Sequence, residues 1–209
     1  MARTSGPETR DKLIRAAEEL FAAQGVDGAQ LRDITRLAGQ ANPSAVQYHF
    51  GSRGGLLDAV MAGRLARTEQ VLVSLPRRDD DGVRELITAL VTAESSELRT
   101  ERGRRCLRIS AQLSHESGIR ARTPHPTLAD TAYWALIERL ADRLATDGLP
   151  EPLLLERLDL ALTVVGAALA DRARQYLDGT EPLTDEPLFL ADLVETTTAL
   201  LRAARPRRN

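Results

Sequence analysis

Apolar residues recur along this chain about every three to four positions, and glycine, proline or charge clusters separate the periodic stretches. Leu13, Ala17, Leu20 and Phe21 form the first stripe; Ser5 and Glu8 precede it at capping-box spacing with Pro7 between them, and Gly25 ends it. "LRDITRLAG" puts Leu31, Ile34, Thr35 and Ala38 on one face and stops at Gly39. A third helix is predicted to start at Asn42, a good N-cap residue, with Pro43 at its first helical position and room to run only to Phe50. Ser52 then caps a longer fourth helix that carries Leu56, Leu57, Val60 and Leu65 and ends near Pro76. Beyond the charge-rich "RRDDDG" at 77–82, segments 83–100, 103–116, 127–147, 153–178 and 187–204 again read as helix. Their breaks are Gly103, 118–126, 148–152 and 179–187, and no alternating β-branched pattern occurs, so the predicted class is all-α.

Composition narrows this only modestly. Aromatics are 3% of the 209 residues, so the core must be aliphatic and alanine-rich. The net charge of −2 announces no polyanion partner, and within residues 1–60 seven basic side chains face seven acidic ones. Nucleic-acid affinity therefore has to come from where the charges sit. Cys106 is alone, which fits a reducing compartment, and the longest apolar run, "LALTVVGAALA" at 160–170, is far short of a membrane span. The expected location is the cytoplasm, with no membrane partner.

Residues 31–50 have the plan of a helix-turn-helix, two short helices joined by a turn at 39–42. Asn42, Ser44, Gln47, Tyr48 and His49 make the second helix too polar for a core element, while Val46 and Phe50 can pack inward. Gln47 has the donor and acceptor to pair with adenine in a major groove, and Tyr48 and His49 can donate to phosphate oxygens. The clustered aromatics of "YHF" thus read as a clamp, Phe50 in the core and its neighbours on the DNA backbone.

Residues 9–60, "TRDKLIRAAEELFAAQGVDGAQLRDITRLAGQANPSAVQYHFGSRGGLLDAV", resemble the DNA-binding domain of the tetracycline-repressor (TetR) family of transcriptional regulators. "AAEELFAAQG", "RDI…AG" and "YHFGSRGGLL" carry the resemblance, in register over about fifty residues; beyond residue 70 it is one of architecture only. It implies a homodimer that binds double-stranded DNA at a palindromic operator, represses, and is released by a small-molecule inducer, with no cofactor. The expected DNA-contacting residues are Gln30, Arg32, Asn42, Pro43, Ser44, Gln47, Tyr48, His49 and Arg53. Two features depart from the family's habit: Ala29 and Gln30 stand where Thr or Ser usually precedes the second helix, and the stretch from Gly39 to Phe50 is one residue longer, with Gln47 where many members have tyrosine. The domains are put at residues 1–52, the helix-turn-helix DNA-binding domain, and 53–209, the helical regulatory domain, with the fourth helix belonging to both halves.

Segment 153–178 carries Leu155, Leu158, Leu162, Val165, Leu169 and Tyr176 on one seam, and Ala161, Val164 and Ala168 on a second. Apolar residues on more than one face require more than one cover, either an internal core or a second subunit. The residues alone rank the two equally; the resemblance, in which the last two helices build the dimer interface, favours the subunit. The expected interface is Leu158, Leu162, Val165, Leu169, Tyr176, Leu190, Leu193, Val194, Thr197 and Leu200. Segments 83–147 are expected to hold the inducer pocket, mainly apolar, with Glu94, Ser110, Gln112, Tyr133 and Trp134 as candidate linings. Tyr133 and Trp134 are adjacent and diverge by about 100° on a helix, so at most one is expected to face it squarely.

An enzyme would need Cys106 or a serine beside a histidine and an orienting acid. His115 and His125 follow Cys106 at spacings that match no triad or metal signature, and there is no phosphate-cradling glycine loop or Cys–Cys ligand pair. The expectation is a regulator and not a catalyst, with an all-α protein-binding adaptor, or an activator of the same fold, as the alternatives.

Overall fold

Nine α-helices follow one another in the computed structural model, which describes residues 6–42, 44–113 and 118–205. Ser5, Pro43, His115 and the end of the basic tail (206–209) lie outside those residues. The helices are α1 (Gly6–Gln24), α2 (Leu31–Leu37), α3 (Ala45–Phe50), α4 (Arg53–Ser74), α5 (Val83–Ser95), α6 (Glu101–Gln112), α7 (Ala132–Thr146), α8 (Glu151–Asp178) and α9 (Glu186–Arg202). No strand occurs among the described residues, and no helix there is long and apolar enough to cross a membrane.

Several helix starts follow from short polar side chains placed to take the free backbone donors of a first turn. Ser52 Oγ accepts from Gly55 N (3.0 Å), Thr100 Oγ1 from Gly103 N (3.0 Å), Thr131 Oγ1 from Trp134 N (3.1 Å) and Asp185 Oδ1 from Leu188 N (2.9 Å). These caps move three predicted boundaries. Gly103 is no break but lies in the first turn of α6, where a β-carbon would come within 2.2 Å of the Glu97 carbonyl oxygen. The segment predicted as helix 83–100 closes at Ser95 and continues as a tight 3₁₀ turn, Ser96–Arg99. The helix predicted from 127 begins only at Ala132, behind the Thr131 cap.

Two apolar cores lie side by side. The first gathers Leu13, Ala17 and Phe21 of α1, Ile34 of α2, Ala45 and Val46 of α3, and Leu56 and Val60 of α4. The second is built from α5, α7, α8 and α9 around Leu90, Leu140, Leu158 and Leu169. Helix α6 joins them: Cys106 and Ile109 enter the first core, and Leu107 enters the second. The same helix is pinned to α1 by Arg102, whose Nε donates to both oxygens of the buried Glu18 carboxylate at 2.9 Å.

Candidate functional site

The turn between α2 and α3 is set by Gly39, whose φ of +66° a side chain rarely tolerates. Gln40 N donates to Thr35 O and Gly39 N to Arg36 O, the paired closure of a Schellman motif. Asn42 Oδ1 then accepts from Ser44 N (2.9 Å), so Asn42 shapes the approach to α3; the helix itself starts at Ala45, later than the proline rule predicts. Ala45 and Val46 anchor α3 on the first core, and Gly51 ends it in the left-handed region.

This anchoring leaves Ser44, Gln47 and Tyr48 facing outward, with Tyr48 83% exposed. His49 is half-buried and meets the Tyr48 ring edge-on at 4.9 Å; Phe50, also half-buried, packs on the first core with Arg10 over its face at 5.1 Å. Arg32 and Gln30 are exposed on the neighbouring helix start. Gln30 makes no side-chain cap of α2, and its Nε2 donates back to Gly28 O (3.4 Å). Arg53 differs from its expected outward role: its guanidinium lies over the Phe21 ring at 5.6 Å, with Nη2 buried and unpaired among the described residues. Arg32, Asn42, Ser44, Gln47 and Tyr48 are thus exposed, while Arg53 is half-buried against Phe21.

A cavity of about 170 Å³ lies between α4, α5, α6, α7, α8 and the 118–128 loop. Glu94, Ser110, Tyr133 and Trp134 line it. Both aromatics reach it, contrary to expectation, because its walls come from α4 and α5 as well as the 125–128 loop and so meet the first turn of α7 on more than one side. Gln112 does not line it. Its Oε1 accepts from Val26 N (2.9 Å) and its Nε2 donates to Arg108 O (3.1 Å), tying the end of α6 to the loop after α1.

Outside the predicted 83–147 stretch, α4 supplies Leu57, Asp58, Met61, Arg64 and Leu65 to the cavity wall, and α8 supplies Leu162, Val165 and Gly166. A signal was available, since Arg64 continues the stripe Leu56–Val60 at the next i+4 step, and an arginine at a core position calls for a buried acid. That acid is Glu94: the Arg64 Nη2 group donates to its Oε2, and both residues are buried. Burial pushes the Glu94 carboxyl above its usual range, against the pull of Arg64. One turn further along, Arg67 grips Glu97 with Nε–Oε1 at 2.8 Å and Nη2–Oε2 at 2.6 Å. Glu69 accepts from Ala132 N (2.8 Å) and Tyr133 N (2.7 Å) at the start of α7.

The seam expected to meet a second subunit is largely covered by its own chain. Leu158, Val165, Leu169, Leu193, Val194 and Thr197 are buried within the single chain, and Val165 lines the cavity with the half-buried Leu162. Tyr176, Leu190 and Leu200 are half-buried; Tyr176 donates its hydroxyl to Glu186 Oε2 (3.0 Å). The chain's own core takes the most apolar stripe. On α8, Leu160 (51% exposed), Thr163 and Ala167 remain exposed, and so do Leu188, Ala191 and Ala199 on α9.

Residues 13–60 match the family described as "Bacterial regulatory proteins, tetR family". Over 57 residues the chain is 47% identical to the HTH-type transcriptional regulator SrpR of Pseudomonas putida, a stretch covering 27% of this chain and 26% of that protein. Over 69 residues it is 41% identical to the tetracycline repressor protein class A from transposon 1721 of Escherichia coli, covering 33% and 31%. The chain thus matches about a quarter to a third of these relatives' lengths. Among solved structures, a bacterial regulatory protein in the tetR family from Rhodococcus RHA1 superposes with a TM-score of 0.57 at 19% identity, over 92% of this chain and 96% of that one, a likeness of fold.

Proposed function

We propose that the chain, whose residues 13–60 match the tetR family of bacterial regulatory proteins, is a homodimeric transcriptional repressor and not an enzyme. Residues 1–52 bind a palindromic operator, and residues 53–209 dimerise and take a small-molecule inducer. One observation on α4 carries this. Leu56 is fully buried beneath α3, and the next residue, Leu57, lines the cavity. Whatever shifts α4 from the cavity side therefore moves the support of the recognition helix.

The recognition surface is Ser44, Gln47 and Tyr48 with Asn42, Arg32, Gln30 and His49 around it; Gln47 is assigned to a base edge and Tyr48 to phosphate. The subunits pair through these exposed positions of α8 and α9, whose small residues permit close helix approach. In a dimer each half-site fixes one recognition helix along the duplex, so a small change in their separation breaks both registers together. Ligand and operator then weaken each other's binding by the same factor.

A mobility-shift assay of the intact protein on DNA flanking its own gene tests the reading, with sedimentation to give the mass. The expected result is a dimer that retards a palindromic fragment, and a Leu160→Arg variant that sediments as monomer and loses it. A monomeric wild type at micromolar concentration, or no selective retention of any flanking fragment, overturns it.

A further inference from the structure

The cavity's chemistry goes further than its place in the fold, on the reading that it is the inducer site. Its walls are mostly aliphatic, among them Leu57, Met61, Leu65, Ile137 and Leu162. At about 170 Å³ it is close to the roughly 150 Å³ of an apolar cavity that holds one benzene. Within this lining, the Arg64 and Glu94 side chains each hold one buried polar atom without a partner. Glu94 Oε1 and Arg64 Nε have no hydrogen-bond partner among the described residues, although the other ends of the same side chains are bonded to each other. One is an acceptor and the other a donor, and both side chains line the cavity.

The charges of Arg64 and Glu94 cancel within the pair. Asp58, also at the wall, is exposed to solvent; the half-buried His125 engages its Nδ1 with Thr127 Oγ1 at 2.9 Å. An ionised ligand would thus enter an apolar space with no counter-charge left over for it. A neutral group that gives one hydrogen bond and takes another satisfies both orphan atoms without adding charge. We propose that the cavity binds an uncharged molecule of about one six-membered ring, bearing a single hydroxyl or carboxamide that bridges Glu94 and Arg64.

The test is a titration of the intact protein, without DNA, by calorimetry and Trp134 fluorescence. The probes are benzyl alcohol, benzamide, toluene, benzylammonium and benzoate. The alcohol and the amide should bind at least about tenfold tighter than toluene, and both ions more weakly than toluene. In an Arg64→Met/Glu94→Leu double variant, which replaces the pair with apolar side chains of similar length, the order should reverse and toluene should bind at least as well as the alcohol. If that variant fails to fold, Glu94→Gln keeps the acceptor without the charge and should retain alcohol binding within about threefold, since a neutral ligand does not depend on that charge. Preference of the wild type for toluene or for an ion, no binding of any probe, survival of the alcohol preference in the double variant, or its loss in Glu94→Gln overturns the proposal. Operator release is measured separately: alcohol binding that leaves the operator complex intact defeats the repressor reading while the ligand assignment stands.

Discussion

On α3, Ser44, Gln47 and Tyr48 face outward, whereas on α5 and the turn after it Glu94 and Glu97 are buried and joined to Arg64 and Arg67 of α4. The two regions meet on consecutive residues of the fourth helix, Leu56 under one and Leu57 at the wall of the cavity that Glu94 lines. Polar side chains on the first contribute little to holding the fold and remain available to a partner. Those on the second are ionic fasteners in a low-dielectric interior, and removing half of one strands the other half. Polar side chains therefore carry opposite consequences for stability in the two regions.

The largest effect should follow from breaking the interior pair on one side only. Glu94→Leu leaves Arg64 buried without its carboxylate and should lower unfolding free energy by about 3–5 kcal/mol in urea titrations. The Arg64→Met/Glu94→Leu double variant should recover most of it; equal losses in the single and double variants would show that the two side chains are not coupled. On the exterior helix, Gln47→Ala should cost about 1–3 kcal/mol of operator affinity at one base position, with random DNA unaffected. Equal loss on both DNAs would move the base-reading role elsewhere on α3.

A pH series separates the regions at smaller amplitude. Burial raises Glu94 above its usual 4.5, so the folded chain holds this proton to higher pH than the unfolded chain does. The associated stability is fully present below about pH 4.5 and is lost as pH rises through the raised folded value. The stability of wild type relative to Glu94→Gln should therefore decline on going from pH 4 toward pH 7, by no more than about 1.4 kcal/mol per pH unit. A rise over the same range would reverse the sign of the assignment. The smallest effect belongs to Tyr48→Ala, which should leave thermal and urea stability within about 0.5 kcal/mol of wild type while weakening binding to all DNA sequences alike.

The helix-turn-helix was legible because its signals are local. Gly39 needs a left-handed backbone, Asn42 a turn, and Ser52 a helix start, and each acts over four residues or fewer. The cavity was half legible. Choosing polar and aromatic side chains within 83–147 finds Glu94 and Tyr133, but Gln112 bonds to a residue 86 positions away, and no spacing encodes that. Pattern failed most clearly on α8, where the most apolar stripe was assigned to a partner and is instead taken by the chain's own core. Small residues such as Ala167 and Thr163 leave a weak hydrophobic signal however important the surface they form. Because the chain's own core buries both positions, Val165→Arg or Leu193→Arg, at sites the family resemblance puts between subunits, should unfold the subunit itself.

Cys106 adds a clock to this architecture. It is fully buried where α6 enters the first core, accepts a 3.6 Å contact from Arg67 Nη2, and burial pushes its thiol up to about 11, with Glu18 adding to the shift. At neutral pH neither access nor ionisation permits alkylation in place, so a thiol reagent reports only those moments when α6 lifts from α1. The second-order labelling rate divided by that of the unfolded chain is then the opening equilibrium of the joint between the two cores, read in real time from one native atom without any introduced label.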